Sequence, residues 1–138
     1  ETEYTLPLGK ANVVKEGSDI TIITWGAMVK YTLDAVSKLK DVDAEVIDLR
    51  TIYPFDAETI IKSVKKTGRA LVVHEAPKTA GFGAEIVATI NEKALDSLEA
   101  PIMRVTGYDI PLPFARLEME YIPSEERIIK GINKVMEY

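Results

Sequence analysis

The chain has 138 residues, no cysteine, one histidine and a formal net charge of −5 at pH 7. This length suits one compact domain. The acidic balance disfavours nucleic acid and an anionic membrane surface as partners. The lack of cysteine excludes disulfides, thiolate nucleophiles and cysteine-ligated zinc. No apolar run is long enough to span a membrane and residues 1–4 lack a signal-peptide pattern, which together predict an intracellular protein, in the cytoplasm or an organelle matrix.

The first third of the chain predicts an extended lead-in, two strands and a helix. Residues 1–10 contain a proline and a glycine without regular periodicity, and residues 11–15 favour a short edge strand. Turn-forming residues at 16–19 predict a hairpin that pairs this strand antiparallel with the next one. Residues 20–24 are rich in β-branched side chains, which is typical of a central strand, and a helix follows over 27–40. The expected buried face of this helix is Val29, Leu33, Val36 and the stem of Lys40, with Met28, Thr32 and Leu39 beside them.

The middle of the chain repeats the alternation of strand and helix. A strand is expected over 44–49, and Asp56 is placed to cap a helix over 57–66. Gly68 suits a left-handed position after that helix. The next strand is expected over 70–74.

The last third predicts one more strand between two helices. A helix is expected over 83–98, with Ile86, Val87, Ile90, Ala94 and Leu98 facing inward. A strand follows over 101–106, and the run 107–123 predicts little regular structure because it contains three prolines. Ser124 is placed to cap the final helix, whose expected buried face is Ile128, Ile129, Ile132, Val135 and Met136.

This order of elements predicts an α/β fold and a single domain over residues 1–138. Alternating strands and helices indicate parallel strands joined by right-handed crossovers, with helices on both faces of the sheet. If the chain winds outward in both directions from strand 20–24, the loops after Trp25 and His74 converge at the carboxyl edge. Open α/β sheets bind ligands at that edge.

His74 and Glu75 have a chemical and a structural interpretation. An imidazole titrates near neutrality, and a carboxylate can orient it, so the two side chains could act as an acid/base pair. Adjacent residues of a strand point to opposite faces, however, which weakens direct contact between them. The sequence therefore favours a strand-end histidine that is hydrogen-bonded at a subunit interface.

The segment 81–86 resembles a phosphate-binding loop at a helix start. Gly81 and Gly83 could expose helix amides to an anion, but Ile86 replaces the third glycine of the dinucleotide fingerprint. The sequence therefore favours glycines that allow a sharp turn and close packing. One histidine and no cysteine give a metal site no support.

The proline-rich run 108–114, followed by Glu118, Glu120 and Tyr121, carries more apolar and aromatic groups than a local turn can bury. Two interpretations remain open. The run could dock another protein, or it could fold back over the sheet.

Several segments resemble, in the same order, the C-terminal domain of the β subunit of the thiamine-dependent 2-oxo acid dehydrogenases. They are Thr5-Leu6-Pro7-Leu8-Gly9-Lys10-Ala11, Asp19-Ile20-Thr21-Ile22-Ile23-Thr24-Trp25-Gly26, Asp48-Leu49-Arg50-Thr51-Ile52-Tyr53-Pro54-Phe55-Asp56, His74-Glu75-Ala76-Pro77 with Gly81-Phe82-Gly83-Ala84-Glu85-Ile86, residues 99–109 and Tyr121-Ile122-Pro123-Ser124. The forms His-Glu-Ala-Pro and Gly-Tyr-Asp-x-Pro resemble the branched-chain and acetoin branches more than typical pyruvate enzymes. Ile110 departs from the threonine that many relatives carry before the proline.

This resemblance implies a three-layer α/β/α sandwich with a mixed five-stranded sheet and one antiparallel edge strand, the transketolase C-terminal-like fold. It implies a preceding pyrimidine-binding domain, from which residues 1–10 would continue. Thiamine diphosphate and magnesium would lie outside this domain, between that part of the β subunit and the α subunit. No catalytic, cofactor-binding or metal-binding residue is expected here, and His74 and Glu75 would belong at most to the surroundings of the active site.

The resemblance also implies partners and a role. The domain would brace an α2β2 heterotetramer, contacting the α subunit and the second β subunit, and would dock the subunit-binding domain of a lipoyl acyltransferase. The docking candidates are Glu118, Glu120, Glu137 and Tyr138. Two alternatives remain open: a free-standing domain that binds a small anion or nucleotide, and the equivalent domain of transketolase or a 2-oxo acid:ferredoxin oxidoreductase.

Overall fold

The structure is a computed structural model that describes residues 4–138, apart from the side chain of Ala115. The five strands are β1 (Asn12–Lys15), β2 (Ile20–Thr24), β3 (Ala44–Asp48), β4 (Ala70–Pro77) and β5 (Met103–Gly107). The α-helices are α1 (Met28–Ser37), α2 (Ala57–Thr67), α3 (Gly83–Ala94), α4 (Glu118–Tyr121) and α5 (Glu125–Met136). Short 3-10 helices cover Leu95–Ser97 and Ala115–Leu117. No helix within residues 4–138 is both long enough and apolar enough to cross a bilayer.

The strands form one mixed sheet in the order β1-β3-β2-β4-β5. Strands β2, β3, β4 and β5 run parallel, and β1 pairs antiparallel with β3 at one edge. The central strand β2 is buried along its whole length, as its β-branched sequence predicts. The mixed five-stranded sheet with one antiparallel edge strand is therefore confirmed.

The expected hairpin between β1 and the next strand is wrong, because β1 pairs with β3 and not with β2. The connecting turn crosses beside the start of β3, where the amides of Ser18 and Asp19 donate to the carbonyl of Asp43 at 3.0 and 2.9 Å. Gly17 permits this crossing, since a Cβ on it would lie 2.3 Å from the carbonyl carbon of Ala44. The turn therefore carries the chain past β3 before β2 begins.

Two apolar cores give the fold its three layers. Helices α1 and α5 pack together on one face of the sheet, and α2 and α3 pack on the other. Ile22 of β2 belongs to the first core and Ile23 to the second. Successive side chains of a strand point to opposite faces, so β2 contributes to both.

Two helices are shorter than their periodicity predicts. Helix α1 ends at Ser37, so Lys40 lies outside it and is exposed. Helix α3 ends at Ala94, and Leu98 is half-buried after a 3-10 turn. The buried residues of α1 are Met28, Thr32, Ala35 and Val36. Met28, Thr32 and Val36 agree with the expected face, and Ala35 is added to it because α1 packs against both the sheet and α5.

The predicted helix ends are confirmed by their capping groups. The carboxylate of Asp56 accepts a hydrogen bond from the amide of Thr59 at 3.1 Å, and Gly68 adopts a φ of 69° after α2. The hydroxyl of Ser124 accepts from the amide of Arg127 at 3.3 Å. Each cap satisfies a backbone group that the first or last helical turn leaves unpaired.

The run 107–123 is more regular than expected. It contains a 3-10 turn and the four-residue helix α4, which ends at the buried Tyr121. The ring of Tyr121 packs on Gly107, where a Cβ would lie 2.6 Å from it. This contact holds α4 in place, and its residues Glu118, Met119 and Glu120 are good helix formers.

Candidate functional site

The carboxyl edge of the sheet brings Trp25 and His74 together, as the predicted winding requires. Strands β2 and β4 are neighbours, so the residues that follow each strand meet at the same edge. The two rings stack with centroids 5.2 Å apart and planes 10° apart. Phe82 meets the indole edge-on at 5.8 Å, and Phe55 meets Phe82 edge-on at 5.5 Å. The edge is thus closed by an aromatic cluster around one imidazole.

His74 is fully buried, with 0% of its surface exposed. Within residues 4–138, neither ring nitrogen has a hydrogen-bond partner. Burial, with a smaller contribution from the positive charge of Arg104, lowers the pKa of His74 from 6.5 to about 4. The imidazole is therefore neutral at physiological pH.

Glu75 points away from His74 and is exposed. Successive side chains of β4 alternate between faces, so the two residues do not form an acid/base pair. The favoured alternative is a strand-end histidine that is hydrogen-bonded at a subunit interface. Its predicted hydrogen bond is not made within residues 4–138, and contact with another subunit stays a prediction.

Gly81 and Gly83 allow the loop to approach the imidazole closely. A Cβ on Gly83 would lie 2.4 Å from Nε2 of His74, and one on Gly81 would lie 2.8 Å from Cε1. Neither glycine has a positive φ, whereas Ala80 does, at 58°. These glycines are therefore required by the close approach and not by backbone conformation.

The start of α3 does not form an anion cradle. The amide of Ala84 donates to the carbonyl of Gly81 at 2.9 Å, and those of Glu85 and Ile86 donate to the carbonyl of Phe82 at 3.0 and 3.3 Å. These first-turn amides are the groups that would otherwise bind a phosphate. The residues here consequently do not fit a diphosphate. Across residues 4–138, no cluster of three His, Cys, Asp or Glu side chains is arranged to hold a metal ion.

The proline-rich run stays at the surface instead of folding over the sheet. Ile110 and Leu112 are more than half exposed, and Phe114 is 89% exposed. The run is nevertheless tied down at its start, where the carboxylate of Asp109 accepts from the amide and the hydroxyl of Thr79 at 2.9 and 2.8 Å. These side chains are therefore not buried over the sheet, and docking of another protein by this run stays a prediction.

Arg127, which the sequence did not identify, holds the two ends of the run 107–123 together. Its guanidinium donates to the carbonyls of Tyr121, Ile122 and Thr106 and lies 4.3 Å from the ring centroid of Tyr108. No local motif indicates that Arg127 makes these contacts, because its hydrogen-bond and ring partners lie on different segments.

The four docking candidates are exposed, but they lie at two separate places. Glu118 and Glu120 belong to α4, just before α5 begins, whereas Glu137 and Tyr138 follow the end of α5. The 12 residues of α5 span about 18 Å. The structure therefore does not bring the four residues together.

A polar cluster that the sequence did not predict lies between α2 and the sheet. Glu45 is 2% exposed and accepts hydrogen bonds from Ser63 and Lys66. Burial alone would raise the pKa of Glu45, but the bonds from Lys66 and Ser63 lower it below its usual value. The hydroxyl of Thr21 continues the network to Ser63 at 2.6 Å. All of these groups are satisfied, so the cluster joins β2, β3 and α2 instead of forming a site.

Residues 9–128 match the family described as transketolase, C-terminal domain. The chain is 52% identical over 139 residues to the mitochondrial β subunit of 2-oxoisovalerate dehydrogenase from Dictyostelium discoideum, covering 99% of this chain and 37% of that protein. It is 51% identical over 140 residues to the β subunit of the pyruvate dehydrogenase E1 component from Bacillus subtilis, covering 100% of this chain and 43% of that protein. The chain thus spans less than half the length of these relatives.

Solved structures share the fold at lower sequence identity. A split-gene transketolase, described as an inactive β4 tetramer, aligns with a TM-score of 0.83 at 24% identity over 98% of this chain and 44% of that one. A 2-oxoglutarate:ferredoxin oxidoreductase from Magnetococcus marinus aligns with a TM-score of 0.59 at 15% identity, over 92% of this chain and 19% of that one. The transketolase C-terminal-like fold is therefore confirmed.

Proposed function

The chain belongs to the transketolase C-terminal domain family, and from that premise we propose that it forms the C-terminal domain of the β subunit of a 2-oxo acid dehydrogenase. The observation that carries this proposal is the identity of 51–52% along essentially the whole chain to two such β subunits. The intact enzyme is an oxidoreductase: a 2-oxo acid loses CO2, its acyl group passes to one sulfur of a lipoyl carrier, and the lipoyl disulfide is reduced. The substrate is pyruvate or a branched-chain 2-oxo acid.

The domain supports this reaction without carrying its chemistry. Thiamine diphosphate supplies the carbanion stabilisation in the intact enzyme, and we place it, with magnesium, outside residues 1–138. This placement agrees with the internally bonded amides at the start of α3 and with the neutral, enclosed imidazole of His74. The domain holds the assembled subunits in their correct relative positions. His74 and Glu75 belong to the surroundings of the active site.

The lead-in supports the presence of further polypeptide against this domain. Its backbone is fixed, because the amide of Gly9 donates to the hydroxyl of Thr51 at 3.0 Å. The side chains of Leu8 and Tyr53 are nonetheless 82% and 92% exposed. An ordered segment that exposes large apolar side chains is typical of an interface. We assign this surface to contact with the preceding pyrimidine-binding domain.

The proposed partners are the α subunit and the second β subunit of an α2β2 heterotetramer, within a multienzyme complex. The subunit-binding domain of the lipoyl acyltransferase would dock on exposed acidic groups, either at Glu118 and Glu120 or at Glu137 and Tyr138. The proposed location is the cytoplasm, or the organelle matrix in a eukaryote.

Co-expression tests the function directly. The full-length β subunit is expressed with its genomic α subunit and lipoyl acyltransferase, and the purified complex is assayed with pyruvate and 3-methyl-2-oxobutanoate in the presence of thiamine diphosphate and Mg²⁺. We expect lipoyl-dependent release of CO2 from at least one of the two acids. Ketol transfer between sugar phosphates, or reduction of ferredoxin, with no lipoyl-dependent activity would instead identify a transketolase or a ferredoxin oxidoreductase.

A further inference from the structure

An apolar groove lies at the carboxyl edge, beside the end of β4. Its volume is about 520 Å³. One wall is formed by residues 75–77, at the irregularity in the pairing of β4 with β5. The other wall is formed by residues 110–112 and by α4, with Glu118 and the ring of Tyr121. The groove is open to solvent and is separate from the aromatic cluster around His74.

The walls of the groove are fixed in place. The bonds between Asp109 and Thr79 hold the beginning of the proline-rich run against the loop after β4. The ring of Tyr121 packs α4 against Gly107. The guanidinium of Arg127 donates a hydrogen bond to the carbonyl of Tyr121 at 3.3 Å. A partner that binds here therefore loses little free energy to ordering of the groove, which is the main advantage of a preformed site.

The segment that forms one wall of the groove carries several exposed apolar side chains. Ile110 and Leu112 line the groove with side chains that are more than half exposed. Phe114, Leu117 and Met119 follow in the next seven positions and are also largely exposed. Exposed apolar side chains that line a groove with fixed walls are typical of a surface that another molecule covers.

Carboxylates border the groove. Glu75 and Glu118 line it, Glu120 follows on α4, and all three are exposed. Within residues 4–138 none of these three forms an ion pair. A second copy of this chain, with a net charge of −5, would bring further negative charge to this rim. Charge complementarity therefore favours a basic partner.

We propose that the groove binds a segment of a partner polypeptide that places apolar side chains between residues 75–77 and 110–112 and pairs lysine or arginine side chains with Glu75 and Glu118. The proposal rests on the proposed function, because the partner is another component of the assembled complex. It extends that function in three ways: it names the groove as the binding site, it identifies the apolar side chains that line the groove, and it gives Glu75 a part in binding.

Photo-crosslinking in the assembled complex tests the proposal. A p-benzoylphenylalanine residue replaces Leu112 in the full-length β subunit, which is co-expressed with the α subunit and the acyltransferase, and crosslinked peptides are sequenced. We expect one partner peptide in which apolar residues lie next to lysine or arginine. The double variant Glu75→Lys and Glu118→Lys should lower the crosslinking yield at least about fivefold, and the Gln double variant should have a smaller effect.

The matched control places the same crosslinker at Leu95, which is similarly exposed and lies beyond the far end of α3. Its crosslinking yield should not respond to the charge reversals. Crosslinking of position 112 to a second β subunit, to an acidic or wholly polar segment, or at a yield unaffected by the charge reversals would overturn the proposal. These outcomes are distinct from failure of the proposed function, because 2-oxo acid turnover is measured on the same complex.

Discussion

Gly83 lies so close to His74 that a Cβ on Gly83 would come within 2.4 Å of the imidazole Nε2. The histidine ring therefore occupies the space that any other residue at position 83 would need. Trp25 covers one face of the ring by stacking. The end of β2, the end of β4 and the start of α3 thus meet on one side chain, and the stability of this edge depends on its size and charge state.

Substitution of Gly83 by alanine should destabilise the protein by about 2 kcal/mol, because the added methyl group overpacks a full site. Thermal unfolding of the full-length β subunit, with amide exchange of residues 72–86, measures the effect. The matched control is Gly26→Ala, where a Cβ meets nothing within 4 Å and only the φ of 61° is unfavourable. That variant should lose about 1 kcal/mol. Gly83→Val should be worse than Gly83→Ala, and an unchanged melting temperature would contradict the tight packing.

The buried imidazole should make stability depend on pH. Its pKa is lowered to about 4 in the folded protein from 6.5. The folded state favours neutral His74, so this contribution is fully present above pH 6.5 and is lost as the pH falls toward 4. The loss amounts to about 3 kcal/mol. Urea unfolding across this range measures it. The variant His74→Asn should lose this part of the pH dependence, and equal slopes in both proteins would refute the assignment.

Replacement of His74 by alanine in the assembled enzyme should reduce activity by no more than about fivefold. The residue packs the carboxyl edge and, on our proposal, takes no part in proton transfer. Steady-state turnover with the 2-oxo acid substrate is the measurement, and size-exclusion chromatography verifies that the heterotetramer has formed. Complete loss of turnover in an intact heterotetramer would give His74 a catalytic role.

Asp56→Ala should cost about 1–2 kcal/mol, as expected for loss of a helix cap. Besides the amide and hydroxyl of Thr59, this carboxylate accepts a hydrogen bond from the amide of Ala11 at 3.2 Å, so the lead-in should loosen as well. Burial alone would raise the pKa of Asp56, but these bonds lower it overall. The stabilisation is therefore lost as the pH falls below the usual carboxyl range. Asp56→Asn keeps an acceptor and should cost less. Equal stability of the Ala variant and the parent would contradict the cap.

The double substitution of Glu118 and Glu120 by lysine should weaken acyltransferase docking and leave the fold intact, because both side chains are exposed. A pull-down with the subunit-binding domain measures docking, and circular dichroism measures folding. Because α5 separates the two candidate places, deletion of Tyr138 is the comparison variant. If only the deletion weakens binding, the docking site lies at Tyr138 after α5, and unchanged binding in both variants removes the docking proposal.

Local patterns were sufficient for much of the fold. The β-branched run 20–24 identified the central strand, and Asp56, Gly68 and Ser124 identified helix ends, because capping is decided by side chains and amides a few residues apart. The alternation of elements also placed Trp25 and His74 at one edge of the sheet. The extents of α1 and α3 were predicted less well, since packing against neighbours and not periodicity decides where a helix stops.

Contacts between distant segments were invisible in the sequence. The pairing of β1 with β3, the bonds from Ser63 and Lys66 to Glu45 and the bond from Arg127 to the carbonyl of Thr106 each join residues far apart in the chain. The nearest-neighbour patterns of residues therefore specify which segments become strands and helices and where they begin. The packed chain decides which segments touch, how much space is left for a side chain at Gly83, and whether Glu75 and Glu118 share one groove. Only long-range packing determines these distances and solvent exposures.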